Sequence, residues 1–491
     1  MRMERTASIA LAFAGLLCVA TIAIPALAVP PGWAVSQLTS EAADHELYGV
    51  SADRVAWERW DGTYYQINEW AAGDPQPSQI TNDGISHNNV AISGDQIAWI
   101  AANGVATQVY TWIPGWLSTQ PVTNDPILRK DLAFSDGRFA WVESDGTWDQ
   151  VHTIKMGDSS PMAVTSAAGD QAGLRVSGNR LVWNGQYNFV VQVWTWKLGD
   201  SSPTLISHNP YSTDWACVSG DRIAWQGLDS QHHEQIFTQR VGDTAPTQVT
   251  FDATDHDYPQ VSGDRLVWLA RGPHDQVFTW TVGAASPTQL THDPHVHYAP
   301  AVSGDRVVWR GDEDSGFSQV FAWVAGDAAP VQITTDGTEM SGDPCVSGDR
   351  IAWIRKNDTG YEQIFTATAT HTGVTKPVVA PSSPARGKTA AFSAVLTPGG
   401  AASGARATLC LFHSETKTVR KKVHGKWRNV KVAYWKSRGT LGMTYGYAGS
   451  TSVLKVKTKL SSKGNWKASV TCSGWGGFDP CTSPARTFKV K

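Results

Sequence analysis

Five residues ahead of each copy of a recurring motif, the chain carries His45, His87, Arg129, Gln171, Thr213, His256, His297 and Ser341. Imidazoles at equivalent points of a repeat can ligate a transition metal when neutral and carry protons near neutral pH. If the copies close into a ring, His256, His297, Ser341, His45 and His87 fall on consecutive units. That order predicts four imidazoles on one arc of a channel mouth. His232, His233, His274, His292 and His295 are expected in loops of the same face. The expected ligand-binding face is therefore His45, His87, Arg129, His256, Asp257 and His297. No ligand spacing such as His-x-x-x-His lies on a rigid element, so no metal is assigned. There is no Gly-x-Ser-x-Gly elbow, no phosphate-cradling glycine loop and no zinc-type cysteine pair, so no catalytic residue and no cofactor are assigned either.

The elements that position these residues come from the repeat itself. An apolar residue, a short turn and a strand ending in Trp recur as Val50-Ser51-Ala52-Asp53 to Trp57, Ile92 to Trp99, Phe134-Ser135-Asp136-Gly137 to Trp141 and Val176 to Trp183. Val218 to Trp225, Val261 to Trp268, Val302 to Trp309 and Val346 to Trp353 follow, at spacings of 42, 42, 42, 42, 43, 41 and 44 residues. Each repeat holds four short runs of alternating polarity, which read as strands. In the sixth they are Tyr258 to Val261, Arg265 to Trp268, Gln276 to Trp280 and Thr288 to Thr291, the first two joined by Ser262-Gly263-Asp264. Gly-Asp between strands is hairpin chemistry, because glycine accepts the positive φ the turn needs.

A four-stranded antiparallel unit repeated every forty-odd residues is a propeller blade. The chain opens with a lone last-strand signal, Ser36-Gln37-Leu38-Thr39, and the eighth repeat has only its first three strands. Pairing the two closes the ring and removes two exposed sheet edges. The expected fold is an all-β, eight-bladed propeller closed by its N-terminal strand, or seven-bladed if the variant third repeat is displaced.

The proline, the Ser-Gly-Asp turn, the strand ending in Trp and the closing Leu-Thr resemble the TolB-like, or WD-like, propeller repeat. The resemblance covers roughly residues 36–370 and implies a bacterial periplasmic or secreted protein. Oligogalacturonate lyases are propellers of a TolB-like type with a His-containing metal site. The resemblance therefore implies a second reading, a metal-dependent carbohydrate-active enzyme of the polysaccharide-lyase kind using the His-rich mouth.

Residues shared by all copies read as architecture. The eight second-strand Trp residues, with Trp70, Trp112, Trp196, Trp280 and Trp323 on third strands, are expected to pack between blades rather than stack on sugars. Gln66, Gln108, Gln150, Gln192, Gln235, Gln276, Gln319 and Gln363 open the third strands, and an amide that both donates and accepts suits a buried link to neighbouring backbone.

Arg2 and Arg5 precede an almost uncharged run from Ala7 to Ala28 ending in Ala26-Leu27-Ala28, the order of a secretory signal peptide over residues 1–28. The propeller is expected over 29–376, a proline-rich linker over 377–388 and a second domain over 389–491. Charge divides the chain at the same place. From Pro377 to Lys491 there are 20 Lys and Arg against Glu415 and Asp479, whereas the rest carries 21 basic and 42 acidic residues. Two regions so different are two domains with different partners.

In the second domain, alternating segments at 390–396, 407–413, 427–435, 452–460, 466–472 and 486–490 suit a small β-sandwich. It resembles the Ig-like modules of bacterial exported proteins, notably in Gly425-Lys426-Trp427 and Lys463-Gly464-Asn465-Trp466. Of the cysteines left after signal cleavage, Cys472 and Cys481 are the favoured disulfide, and Cys217 and Cys345 are expected not to pair. Lys417, Arg420, Lys421, Lys422, Lys426 and Arg428 form a dense cationic cluster suited to an anionic envelope polymer rather than nucleic acid. The expectation is a secreted or cell-surface, monomeric, non-catalytic scaffold. Its propeller face binds protein or glycan, and its basic domain, without a transmembrane segment, holds it to the envelope.

Overall fold

The computed structural model describes residues 32–102, 106–335 and 342–369, and beyond them residue 460 and the strands between 373 and 490. The expected signal peptide, Ser341 and most of the expected linker lie outside the described residues. Every regular element among the described residues is a strand, and none of their helices is long and apolar enough to cross a membrane because there are none.

Eight four-stranded antiparallel sheets follow one another in the order of the repeats. The first blade, for example, is His45–Ser51, Arg54–Trp60, Tyr65–Ala71 and Ser78–Gln79. The eighth blade takes its first three strands from Cys345–Ser347, Arg350–Lys356 and Glu362–Ala369. Its fourth strand is Trp33–Gln37, in register from Trp33 opposite Ala369 to Gln37 opposite Phe365. The Leu38 amide then donates to the Ile364 carbonyl at 2.8 Å. The ring is thus closed by the start of the chain, with eight blades and not seven.

The core is eight seams rather than one centre. Each hydrophobic cluster joins two adjacent blades: Trp99 packs with Ala56 and Ile67 of the blade before it, and Val55 and Trp57 pack with Ala352 and Ile364 across the closure. All eight second-strand Trp residues are at most 1% exposed. Several lie parallel to the ring opposite them on the third strand, as in Trp268–Phe278 at 6.2 Å and Trp353–Phe365 at 6.0 Å. Truncating any one to Ala is expected to cost about 3–5 kcal/mol.

Polar links repeat round the ring with the same period. In every blade the turn serine accepts from a backbone amide in the turn of the next, from Gly94 N to Ser51 Oγ at 2.8 Å through to Ala52 N to Ser347 Oγ at 3.0 Å across the closure. The arginine after the turn reaches forward as well. Arg180 bonds Asp221 at 2.8 Å, Arg265 bonds Asp305 at 2.8 Å and Arg350 bonds Asp53 at 3.0 Å. The second blade has Gln96 instead, and the turn it faces is the variant Ser135-Asp136-Gly137, with glycine where the other turns carry Asp or Asn. Both central residues of that turn have positive φ, 49° and 75°, the pattern of a I′ turn. With no side chain at 137, an arginine at 96 would lack the side-chain acceptor that the other turns supply.

Beyond the propeller lie two five-stranded sheets. One holds Gly373–Val374, Val378–Ala380, Thr389–Thr397, Thr444–Ala448 and Thr451–Lys459; the other holds Ala407–Val423, Lys426–Gly442, Gly464–Cys472, Cys481–Thr482 and Arg486–Val490. Two strands therefore begin earlier than the expected second domain, one of them inside the expected linker. Two others are far longer than their sequence signals. Ala407–Val423 pairs with Lys426–Gly442 over its length but with Gly464–Cys472 only as far as His413.

Candidate functional site

The first strands of successive blades approach one another all the way round the ring, so they line its axis. Each of those in blades 1 to 7 breaks register at one point, for instance between Asp257 and Gln260 in blade 6. This is a bulge, which turns extra side chains out of the ladder. In blades 2 to 7 the bulge residue has positive φ: Asn89, Asp131, Gly173, Trp215, Tyr258 and Ala299. Asn, Asp and Gly tolerate that conformation, but for Trp215 at 52° and Tyr258 at 54° it costs on the order of 1–2 kcal/mol each. Such strain persists where the surroundings enforce it and is characteristic of functional sites.

The strained residues open a cleft of about 580 Å³ spanning blades 5 to 8. Trp215, Tyr258 and Tyr298 form its aromatic wall, and Arg271, Arg310 and Asp343 its polar one. The Trp215 and Tyr258 rings meet edge to face at 4.6 Å, with Trp215 43% exposed. Arg271 lies over Tyr258 at 5.2 Å and is tied to Asp257 at 2.6 Å and to Asp275. Burial pushes the Asp257 carboxyl up against the pull of that guanidinium. Arg310 lies over Tyr298 at 4.8 Å, and the Tyr298 hydroxyl donates to Asp312 at 2.9 Å.

Arg310 holds a position that varies round the ring, aliphatic in Ile100, Val142, Leu269 and Ile354 and an amide in Asn184 and Gln226. At the matching point of the second strand, Gln226 Oε1 accepts the Tyr258 amide of the next blade at 2.9 Å, and Asn184 Oδ1 accepts the Ala216 amide at 3.4 Å. A guanidinium has no acceptor, so Arg310 cannot do this work. Its Nε is buried without a hydrogen bond, and its nearest carboxylate, Asp343, is 3.7 Å away.

The imidazoles expected at the channel mouth are elsewhere. His45, His87, His256 and His297 are all 3% exposed or less, each held within a seam. His87 Nε2 bonds Asp83 at 2.9 Å while its Nδ1 accepts Trp99 Nε1 at 2.9 Å. His256 repeats the arrangement with Asp252 and Trp268. His297 Nε2 bonds Asp293 at 3.0 Å, and His45 uses Glu41 and the Glu362 carbonyl. Burial lowers the pKa of His297, with Asp293 opposing. Gly311 leaves it room, since a Cβ there would collide with its Nδ1. Arg129 fills the same slot in blade 3, bonded to Asp125 and stacked on Trp141 at 5.5 Å. The structure thus holds the imidazoles one per blade, each bonded to the acidic residue four positions before it, and His87 and His256 also to the tryptophan of the second strand. Of the six expected face residues, Asp257 alone adjoins the cleft, through Arg271. Among the described residues no three His, Cys, Asp or Glu side chains are grouped so as to hold a metal ion.

Seven of the eight glutamines link connector backbone, as where Gln235 Nε2 donates to the Asp252 and Thr254 carbonyls at 2.9 and 3.1 Å and Gln363 to those of Glu41 and Ala43, whereas the buried Gln319 amide bonds neither way among the described residues. Cys217 and Cys345 are free thiols, and burial pushes both up to about 12. Cys472 and Cys481 are register partners on neighbouring strands. Lys417, Arg420, Lys421, Lys422, Lys426 and Arg428 all fall on the outer part of the long strand pair, where residues 414–423 are paired only with 426–435 among the described strands.

No family model and no curated protein sequence matches the chain. Among solved structures it is similar to the acylaminoacyl peptidase of Pyrococcus horikoshii, at 12% identity and TM-score 0.43 over 64% of this chain and 58% of that one. It is also similar to the β-propeller of the Trilobed protease from Pyrococcus furiosus, at 13% identity and TM-score 0.43 over 60% and 98%. A TolB-type protein of Agrobacterium tumefaciens shares 17% identity at TM-score 0.33 over 51% and 94%. The chain spans little more than half of the first of these peptidases. The neighbours include a TolB-type protein and the propeller of a protease.

Proposed function

We propose that the protein is an exported, non-catalytic binding scaffold whose protein or glycan ligand occupies the cleft over blades 5 to 8. One observation carries this reading: two bulky aromatics, Trp215 and Tyr258, are held in a left-handed backbone conformation at the edge of a cleft, where the equivalent residue of blade 4 is Gly173. A fold that spends conformational energy to present an open indole is organised to receive something. The histidines that a metal-dependent enzyme would use are tied into the seams, which supports binding over the lyase alternative. The cationic strand pair supplies a second, independent contact to an anionic envelope polymer, and an Ig-like identity for the C-terminal sheets belongs to the same reading.

Salt separates the two contacts, because polyelectrolyte attraction is screened at high ionic strength while a desolvated cleft is not. Retention of the purified chain on isolated envelope material is measured at low and high salt for the wild type and for Trp215→Ala with Arg310→Ala. The expected result is a salt-resistant fraction that the double substitution removes. A salt-resistant fraction untouched by it would sink the cleft, and retention insensitive to salt would sink the basic contact.

A further inference from the structure

Resting on the reading of this cleft as a binding site, we infer that its ligand is a neutral saccharide. One sugar ring stacks on the exposed Trp215 indole, and two adjacent hydroxyls lie between the Arg310 guanidinium and the Asp343 carboxylate. The donor side of this arrangement is the terminal nitrogens of the Arg310 guanidinium, which meet no carboxylate nearer than Asp343. The acceptor side is Asp343, 61% exposed and 3.7 Å from Arg310, too far for a hydrogen bond. A ligand filling both needs a group that accepts and, one atom further on, a group that donates. A vicinal diol does both, whereas a carboxylate only accepts and an ammonium only donates.

Charge leads to the same class. Around the cleft two guanidiniums, Arg271 and Arg310, face four carboxylates, Asp257, Asp275, Asp312 and Asp343. The local balance is negative, so an anionic ligand would enter against it. A cationic ligand is disfavoured for another reason: it would stand beside the Arg310 guanidinium and offer that group no acceptor, while the faces of Tyr258 and Tyr298 are already covered by Arg271 and Arg310. What remains open is the exposed indole of Trp215, a flat apolar surface beside polar groups, in a cleft whose 580 Å³ lies within the range of small-ligand sites. Arg310 is the specificity-determining residue, since its planar fork is what matches two ring oxygens.

The test is calorimetric titration of the intact protein with cellotetraose, maltotetraose and chitotetraose as neutral probes, tetragalacturonate as an anionic one and a tetralysine peptide as a cationic one. At least one neutral tetrasaccharide is expected to bind with an affinity independent of salt. Trp215→Ala, Arg310→Ala and the charge-preserving Arg310→Lys should each weaken it about tenfold or more, while thermal midpoints show that each variant is folded. Preference for tetragalacturonate or tetralysine, binding unchanged by Arg310→Ala, or no neutral tetrasaccharide bound at millimolar concentration would overturn the inference. If the last occurs while salt-resistant envelope retention still depends on Trp215 and Arg310, the ligand class falls and the cleft stands; if that retention is absent too, both fall.

Discussion

Arg138 and Asn179 meet at 3.1 Å across the seam between the third and fourth blades, and theirs is the one arginine link of the ring in which the acceptor is a neutral amide. The other six arginines of the series face Asp95, Asp221, Asp264, Asp305, Asp349 and Asp53. Arg138 is 1% exposed, leaves one terminal nitrogen unbonded, and is held below the usual guanidinium range by desolvation.

Asn179→Asp should therefore stabilise the propeller by about 1 kcal/mol at neutral pH, as a charge-assisted bond replaces a neutral one. Arg138 would depress the folded pKa of the introduced carboxyl, so the gain exists above about pH 4 and fades as the pH falls through that depressed value. Urea midpoints of the two proteins at pH 7 and pH 3 measure it. A gain of equal size at both would mean that charge is not the cause.

Glu58 gives a pH dependence of opposite sense. It lies directly across from Glu46 in the first blade, and burial, then the Glu46 charge, pushes its carboxyl up from 4.5 to about 8. Between those values the folded chain keeps a proton that the unfolded chain has lost. The Glu58 contribution to stability is thus fully present below about pH 4.5 and is lost as the pH rises through about 8. Glu58→Gln preserves an acceptor for the facing amides of Val90 and Asn89 and removes the titration. Its stability relative to wild type should climb from pH 5 to pH 9 by on the order of a few kcal/mol. Parallel stability curves over that range would refute the assignment.

Trp215→Gly tests the strain at the cleft directly. Releasing a left-handed backbone offsets the loss of one edge-to-face contact, so the variant should fold within about 1 kcal/mol of wild type. Trp225→Gly, on the neighbouring strand, removes a fully buried ring and should cost about 3–5 kcal/mol. Calorimetric unfolding compares the two. A large loss in Trp215→Gly would make that residue architectural and remove the reason for calling the cleft a site.

The ring was legible because its signals are local and repeated. Ser-Gly-Asp fixes a turn, the Trp that follows ends a strand, and the orphan Leu38-Thr39 signal at the start matches the strand missing at the end. The seam partners of the histidines were half legible. Glu41, Asp83, Asp125, Asp252 and Asp293 stand four residues before His45, His87, Arg129, His256 and His297, which is the spacing of the observed bonds. Read as a sequence, however, a polar residue at a strand entrance faces solvent or core equally well. The cleft was missed for a different reason. Trp215, Tyr258 and Arg310 hold positions at which the copies differ in residue type, and only the bulge, invisible to an alternation pattern, carries the first two out of the ladder. The signal that could have found Arg310 is chemical: a pure donor stands where the other blades carry either an aliphatic residue or, in Glu58, Asn184 and Gln226, a side chain that accepts.

Trp33 and Ala369 stand opposite each other at the same end of an antiparallel pair, so the propeller is entered and left through adjacent doors. Tension applied between the two ends would load the bonds from Trp33 to Gln37 one after another, as in a zipper, instead of all at once in shear. A pull on one end and the bound ligand bypasses that weak line and passes through the blades. A scaffold fixed to a surface by its tail alone can hold a load that would spring the same ring open were both of its ends tethered.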